Sequence, residues 1–196
     1  LTLDGEEIWQ NRELVFPPTH GNGGSPMILG NQIVFTCDGG DAPYVAALDR
    51  ETGSVLWRSE RPVDAQRKFS FATPVAFSVN GQTQIIAPGS DCVSGLDPKT
   101  GERLWTFEAS GFSVVPKPMP VGGKLVYCTG FMQPSLIALE PGSEANGWQP
   151  KEAWRVSRNV PKTPPNIVDG DAIVMVSEEG IVTRVSDADG DVIYRK

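Results

Sequence analysis

The chain has 196 residues, 39% of them apolar and 21% charged, which is enough to bury a core within one domain. Its 24 acidic against 17 basic side chains leave a net charge of −7, and no run of Lys and Arg could track a phosphate backbone, so the charge argues against nucleic acid as a partner. No stretch approaches the roughly 20 apolar residues needed to cross a bilayer, and the 21 Gly and 17 Pro point to short strands joined by many turns.

The first residues, LTLDGEEIW, are acidic, lack an apolar signal core and end in Trp9. Residues 1–24 read as the tail of one repeat and the connection to the next. Within that connection PTHGNGGSPM holds His20, Asn22 and Ser25 just ahead of a strand. These three are candidates to line a central channel. His20 is the only histidine, and a hydrogen-bonded loop residue is the plainer reading of it. Gly21-Asn22-Gly23-Gly24 precedes a strand rather than a helix, so it reads as a loop and not as a phosphate cradle.

From residue 25 a unit recurs. It opens with a Pro, a hairpin and a β-rich run: SPMILGNQIVFTC, TPVAFSVNGQTQIIAPG, KPMPVGGKLVYCTG and PPNIVDGDAIVMVS. Gly30-Asn31, Asn80-Gly81, Gly122-Gly123 and Asp169-Gly170 stand where a tight turn needs positive φ, which Gly, Asn and Asp tolerate best. A third strand follows (YVAALD, CVSGLD, SLIALE, IVTRVS), then an acidic turn, then a fourth strand ending in an aromatic residue.

That acidic turn is the clearest signal. ALDRETGSVLW repeats as GLDPKTGERLW, so Asp49, Thr52, Gly53 and Trp57 recur as Asp97, Thr100, Gly101 and Trp105, 48 residues on. The third copy has a longer turn before Trp154. The fourth, VSDADGDVIY, matches Asp187, Gly190 and Tyr194 if one residue is deleted, and Trp9 ends the fragmentary first copy. The Asp carboxylate can accept turn N–H groups, Gly supplies the left-handed residue, and the Trp is expected to pack on a neighbouring repeat.

Four antiparallel strands per repeat of 40–50 residues predict an all-β propeller with about four blades, at about 25–62, 72–110, 114–158 and 163–196. The A-x-D-x-x-T-G-x-x-x-W pattern resembles the tryptophan-docking motif of the quinoprotein-type, or PQQ-like repeat, propellers. That family includes periplasmic quinoprotein alcohol dehydrogenases and non-enzymatic outer-membrane assembly factors of the BamB type. The resemblance covers nearly the whole chain. It implies an eight-bladed ring, of which four blades are half, an extracytoplasmic location, and docking of Trp57 and Trp105 on adjacent blades, with Trp9 and Trp154 as looser equivalents. A fragment of a longer chain, or two copies completing one ring, would both account for the half ring.

Catalytic chemistry is weakly supported. The dehydrogenases that the sequence resembles bind pyrroloquinoline quinone with calcium and carry a pair of adjacent cysteines; here Cys37, Cys92 and Cys128 are far apart and read as small apolar residues in strands. Asp187, Asp189 and Asp191 lack the spacing and closing Glu of a calcium loop and read as turn residues. Glu6, Glu7, Asp38, Asp41, Glu178 and Glu179 are expected on solvated turns, and Arg58, Arg61, Arg67 and Lys68 on an exposed connection or a small basic patch. The resulting expectation is a non-catalytic scaffold for a protein partner, without cofactor. The alternatives are a fragment of a quinone-dependent dehydrogenase and a ligand- or polysaccharide-binding module.

Overall fold

A computed structural model describes all 196 residues. It contains sixteen β-strands and one short 3-10 turn, Glu144–Asn146. Strands β1 (Met27–Leu29), β2 (Gln32–Cys37), β3 (Tyr44–Asp49) and β4 (Val55–Glu60) form the first sheet. The second holds β5 (Val75–Val79), β6 (Gln82–Gly89), β7 (Cys92–Leu96) and β8 (Arg103–Glu108). The third holds β9 (Met119–Val121), β10 (Lys124–Cys128), β11 (Leu136–Glu140) and β12 (Lys151–Val156), and the fourth β13 (Ile167–Asp169), β14 (Ala172–Val176), β15 (Val182–Ser186) and β16 (Val192–Arg195). Each sheet is an antiparallel meander in chain order, so the chain is all-β and forms four blades of a β-propeller.

Turn chemistry sets the hairpins. Asn80-Gly81 and Gly122-Gly123 both take positive φ at both central positions, as a two-residue turn that follows strand twist requires. In the fourth blade Asp169 pairs with Ala172, so the turn is Gly170-Asp171, one residue later than the sequence suggests. Gly170 (φ +63°) takes the first central position, which spares Asp169 the left-handed conformation.

The blades stack face to face. Val34, Val45, Ala47 and Trp57 of the first meet Ile85, Ala87 and Leu96 of the second. Ile86, Val93 and Trp105 meet Leu125, Tyr127, Ile137 and Leu139 of the third, and Val126, Leu136 and Trp154 meet Ile173, Met175 and Val185 of the fourth. The third strands of the middle blades are therefore buried on both faces, with only Glu140 exposed at the end of β11, whereas β15 alternates because its outer face has no cover. Ile167 and Tyr194 are 64% and 40% exposed there. At the other end Leu14 and Phe16 pack over Cys37, Tyr44 and Ala46, covering part of the first blade.

All three cysteines are free and buried, in β2, β7 and β10. Burial pushes the Cys37 thiol up to about 11 and the Cys128 thiol up to about 12.

Two charge expectations are corrected. Asp38 is not on a solvated turn, and Arg61 is not on an exposed connection. Their side chains are 1% and 5% exposed and form a bidentate pair at 2.8 and 2.7 Å. Arg61 also donates to the carbonyls of Ala87 and Pro88, both at 2.8 Å, so it ties the first blade to the second. These carbonyls lie in β6, and satisfying them explains why a guanidinium is tolerated inside. The remaining cations disperse and form no patch: Arg58 lies 3.7 Å over the Tyr44 ring, Arg67 lies over Phe112, and Lys68 pairs with Asp64.

Candidate ligand cleft and blade-docking residues

An antiparallel meander puts the first hairpin and the acidic turn of each blade at one end. The loop between its second and third strands and the connector to the next blade lie at the other. The two ends carry different chemistry.

At the acidic-turn end, Asp49 Oδ1 accepts the N–H groups of Glu51 and Thr52 and the Thr52 hydroxyl at 2.8–3.0 Å. Asp97 repeats this with Lys99 and Thr100 at 2.8–3.2 Å. These bonds hold the Asp49 carboxyl below its ordinary value, with the Thr52 amide the largest cause. Gly53 and Gly101, both at φ +72°, leave room for an indole from the preceding segment. Trp9 covers Gly53 and donates to the Arg50 carbonyl at 3.0 Å; Trp57 covers Gly101 and donates to the Pro98 carbonyl at 3.0 Å.

Trp154 follows the same geometry, covering Gly190 and donating to the Asp187 carbonyl at 3.0 Å. Hence Asp187 stands where Arg50 and Pro98 stand, one residue after the turn-forming Asp. Ser186 takes the place of that Asp, accepting the Ala188 N–H at 3.2 Å. The fourth repeat thus has no deletion. A Ser–Asp pair defeated the sequence match because the shorter hydroxyl does part of the work of the carboxylate. Asp189 and Asp191 belong to this turn, with Asp189 accepting the Asp191 N–H at 3.1 Å.

Trp105 departs from the pattern. It lies against Gly95 of its own blade and donates to Gln84 Oε1 at 2.7 Å. The third blade's turn is longer by about six residues, which include the 144–146 turn; Pro141 stands where Arg50 and Pro98 stand, but its carbonyl takes no bond from Trp105, and the turn offers no Asp-x-x-Thr-Gly geometry. Its Trp148 packs against the same cluster, and Gln149 donates to the Thr106 carbonyl at 2.9 Å.

The connector end carries an aromatic row. His20 meets Phe69 edge-on at 4.8 Å, Phe69 meets Phe112 at 5.7 Å, and Phe112 meets Phe131 at 5.7 Å. A two-residue antiparallel bridge, Phe131 N–H to Phe112 O at 2.7 Å, fixes the last pair. Arg67 lies 4.4 Å over Phe112 and Lys162 lies 5.2 Å from the Phe131 ring centre. Beside this row a cleft of about 620 Å³ opens between the second and third blades, within the size range of small-ligand sites. Its rim holds Phe131 and Met132, 42% and 63% exposed, and Met132 sits at φ +134°, a conformation rare outside glycine.

Of the residues expected to line a channel, only His20 joins the row. Asn22 is exposed, and Ser25 is tied through its N–H to Thr73 Oγ1 at 3.0 Å. Sequence reasoning missed Arg67 as a ring-facing cation, and missed Phe112, Phe131 and Met132 altogether. The available signal was FMQPS, an aromatic and a methionine in the longest loop between second and third strands.

Glu178, expected on a solvated turn, is exposed but accepts the N–H groups of Lys162 and Thr163 at 2.8 and 2.9 Å. No three His, Cys, Asp or Glu side chains gather at one point.

Among solved structures the chain resembles BamB from Moraxella catarrhalis, with a TM-score of 0.63 and 18% identity over 87% of this chain and 50% of that one. It also resembles the quinohemoprotein alcohol dehydrogenase ADHIIG from Pseudomonas putida HK5, with a TM-score of 0.68 and 15% identity over 93% of this chain and 34% of that one. The chain therefore spans half the length or less of these two structures, and at such identities they show the fold alone. A search of curated proteins finds no match. The family profile described as outer membrane protein assembly factor BamB matches residues 2–196, and the chain belongs to that family of PQQ-like repeat propellers.

Proposed function

We propose that the chain is a non-catalytic propeller scaffold that holds a protein partner outside the cytoplasm. The observation that carries this reading is the connector end, where Phe131 and Met132 stand exposed on a bridged loop beside the cleft. Exposed aromatic and methionine side chains on a rigid support are the residue types that protein interfaces favour. Membership in a family described as an assembly factor points the same way.

The partner in this reading is a different protein rather than a second copy closing a ring. Ring closure would bring the Tyr194 edge of one copy to the Arg50–Gly53 turn of another, and Trp9 already covers that turn.

The test pairs two measurements on the 196-residue chain. Light scattering is expected to give a monomer, and immobilised chain is expected to retain an outer-membrane assembly protein from solubilised bacterial envelopes, identified by mass spectrometry. A rise in melting temperature on adding pyrroloquinoline quinone with calcium, without any retained assembly protein, would replace this reading with the dehydrogenase fragment.

A further inference from the structure

The cleft between the second and third blades is built from segments that differ in chemistry. The 109–112 connector contributes Phe112, the 131–135 loop contributes Phe131 and Met132, and the preceding connector contributes Gln66 and Arg67. Three features bear on what it would hold.

First, the apolar rim is preorganised. The main-chain bridge between Phe112 and Phe131 fixes both backbones, their rings meet edge-on at 5.7 Å, and Ser135 N–H donates to Thr129 Oγ1 at 3.0 Å, closing the base of the loop. A rigid aromatic contact loses little side-chain entropy on binding.

Second, the charges in the cleft are not equally committed. Arg155 is paired with Glu152 at 2.7 Å, and the Asp91 carboxylate accepts the Gly111 N–H at 2.9 Å. Arg67 makes no salt bridge and no hydrogen bond; its only polar engagement is with the face of Phe112. In a chain of net charge −7 an exposed guanidinium without a carboxylate is the free positive valence of the site.

Third, Gln66 and Gln133 line the same cleft. Each amide offers both donors and an acceptor, which suits the alternating C=O and N–H groups of an extended main chain.

We propose that this cleft takes an extended peptide segment of a partner protein in which a carboxylate side chain neighbours an apolar one. The carboxylate meets Arg67, the apolar side chain lies on Phe131 and Met132, and the main chain runs past the two glutamines. The proposal rests on the scaffold reading above and adds to it the place and the chemistry of the bound segment.

The probes are two pools of fluorescein-labelled decapeptides. In one, each member carries Phe, Leu or Met next to Asp or Glu; in the other, Lys replaces the acid. Anisotropy titrations use the full chain and its Arg67→Gln, Phe131→Ala, Met132→Ser and Arg58→Gln variants, each first checked for an unchanged melting temperature. The acidic pool is expected to bind, and Arg67→Gln and Phe131→Ala are each expected to weaken it about tenfold. Arg58→Gln, whose guanidinium lies on Tyr44 of the first blade, leaves binding unchanged. If Phe131→Ala fails to fold, Met132→Ser reports on the same rim.

Binding that is equal for the two pools, or indifferent to Arg67 and the rim, overturns the cleft assignment and leaves the scaffold reading standing. Failure of the folded chain to bind either pool overturns the cleft assignment as well. Stabilisation by maltohexaose or cellohexaose that disappears in Phe131→Ala, with no peptide bound, overturns both readings in favour of a saccharide site.

Discussion

The indole of Trp57 in the first blade covers Gly101 in the second. A Cβ on Gly101 would fall 2.5 Å from Cε3 of that ring, and the indole N–H is anchored on the Pro98 carbonyl three residues earlier. The motif thus joins two blades by one stack and one hydrogen bond.

Removing either side of this contact is costly. Trp57→Ala takes away a side chain that is 6% exposed and is expected to cost about 3–5 kcal/mol. Gly101→Ala adds the clash to a left-handed backbone. Gly81→Ala, at φ +82° with open space around it, isolates the backbone part at about 1–2 kcal/mol. Urea unfolding of the three variants is the measurement. A loss for Gly101→Ala no greater than for Gly81→Ala would show that the indole does not press on the glycine.

Trp105 makes a different prediction, because its hydrogen-bond partner lies in its own blade. Trp105→Phe leaves Gln84 Oε1 without its donor while Gln84 Nε2 is already unpaired, a buried amide then wholly unsatisfied. The expected loss is about 1–3 kcal/mol. Adding Gln84→Leu removes the stranded group, so the double variant is expected to be more stable than Trp105→Phe alone. Additive losses in the double-mutant cycle would count against the Trp105–Gln84 bond.

The contrast between these two tryptophans shows what the sequence could carry. Repeat period, hairpin glycines and the acidic turn are local signals with a fixed spacing, so the four blades are legible in the order of residues alone. Where Trp105 points is not, because that depends on a turn 36 to 45 residues later, whose insertion folds the Trp148–Gln149 backbone against Gly142 and leaves the Pro141 carbonyl without a bond from the indole. The fourth turn is misaligned for a simpler reason: Ser186 and Asp187 are both competent turn residues, and only pairing with β14 places Ser186 in register. The cleft escapes the sequence because Phe112 and Phe131 come together through a long-range bridge that no period encodes.

The Asp38–Arg61 pair belongs to the same class of long-range contact, and it is buried. Arg61→Met leaves the carboxylate without a counter-charge and the Ala87 and Pro88 carbonyls without donors, for an expected loss of about 3–5 kcal/mol. Asp38→Leu added to Arg61→Met is expected to restore part of that, since an apolar pair carries no stranded charge. Chemical denaturation of the two variants decides it. If the double variant is as unstable as the single one, the cost lies in the lost carbonyl donors rather than in the orphaned carboxylate.

The acidic turns make stability depend on pH in a definite direction. Thr52 lowers the Asp49 carboxyl below its ordinary 3.8, first through its amide and then through its hydroxyl, with the Glu51 amide adding to the effect. A carboxyl depressed in the folded state contributes stability that is present above its unfolded value and is lost as pH falls through the folded one. Asp189 is lowered in the same direction by the Asp191 amide. The urea midpoint is therefore expected to decline as pH drops below about 4. Asp49→Asn keeps an acceptor oxygen for the same turn but cannot titrate, so its decline is expected to be shallower than that of the wild type. Parallel curves for the two proteins would mean that Asp49 titrates alike in the folded and unfolded chains, and that the turn bonds do not distinguish its charged form.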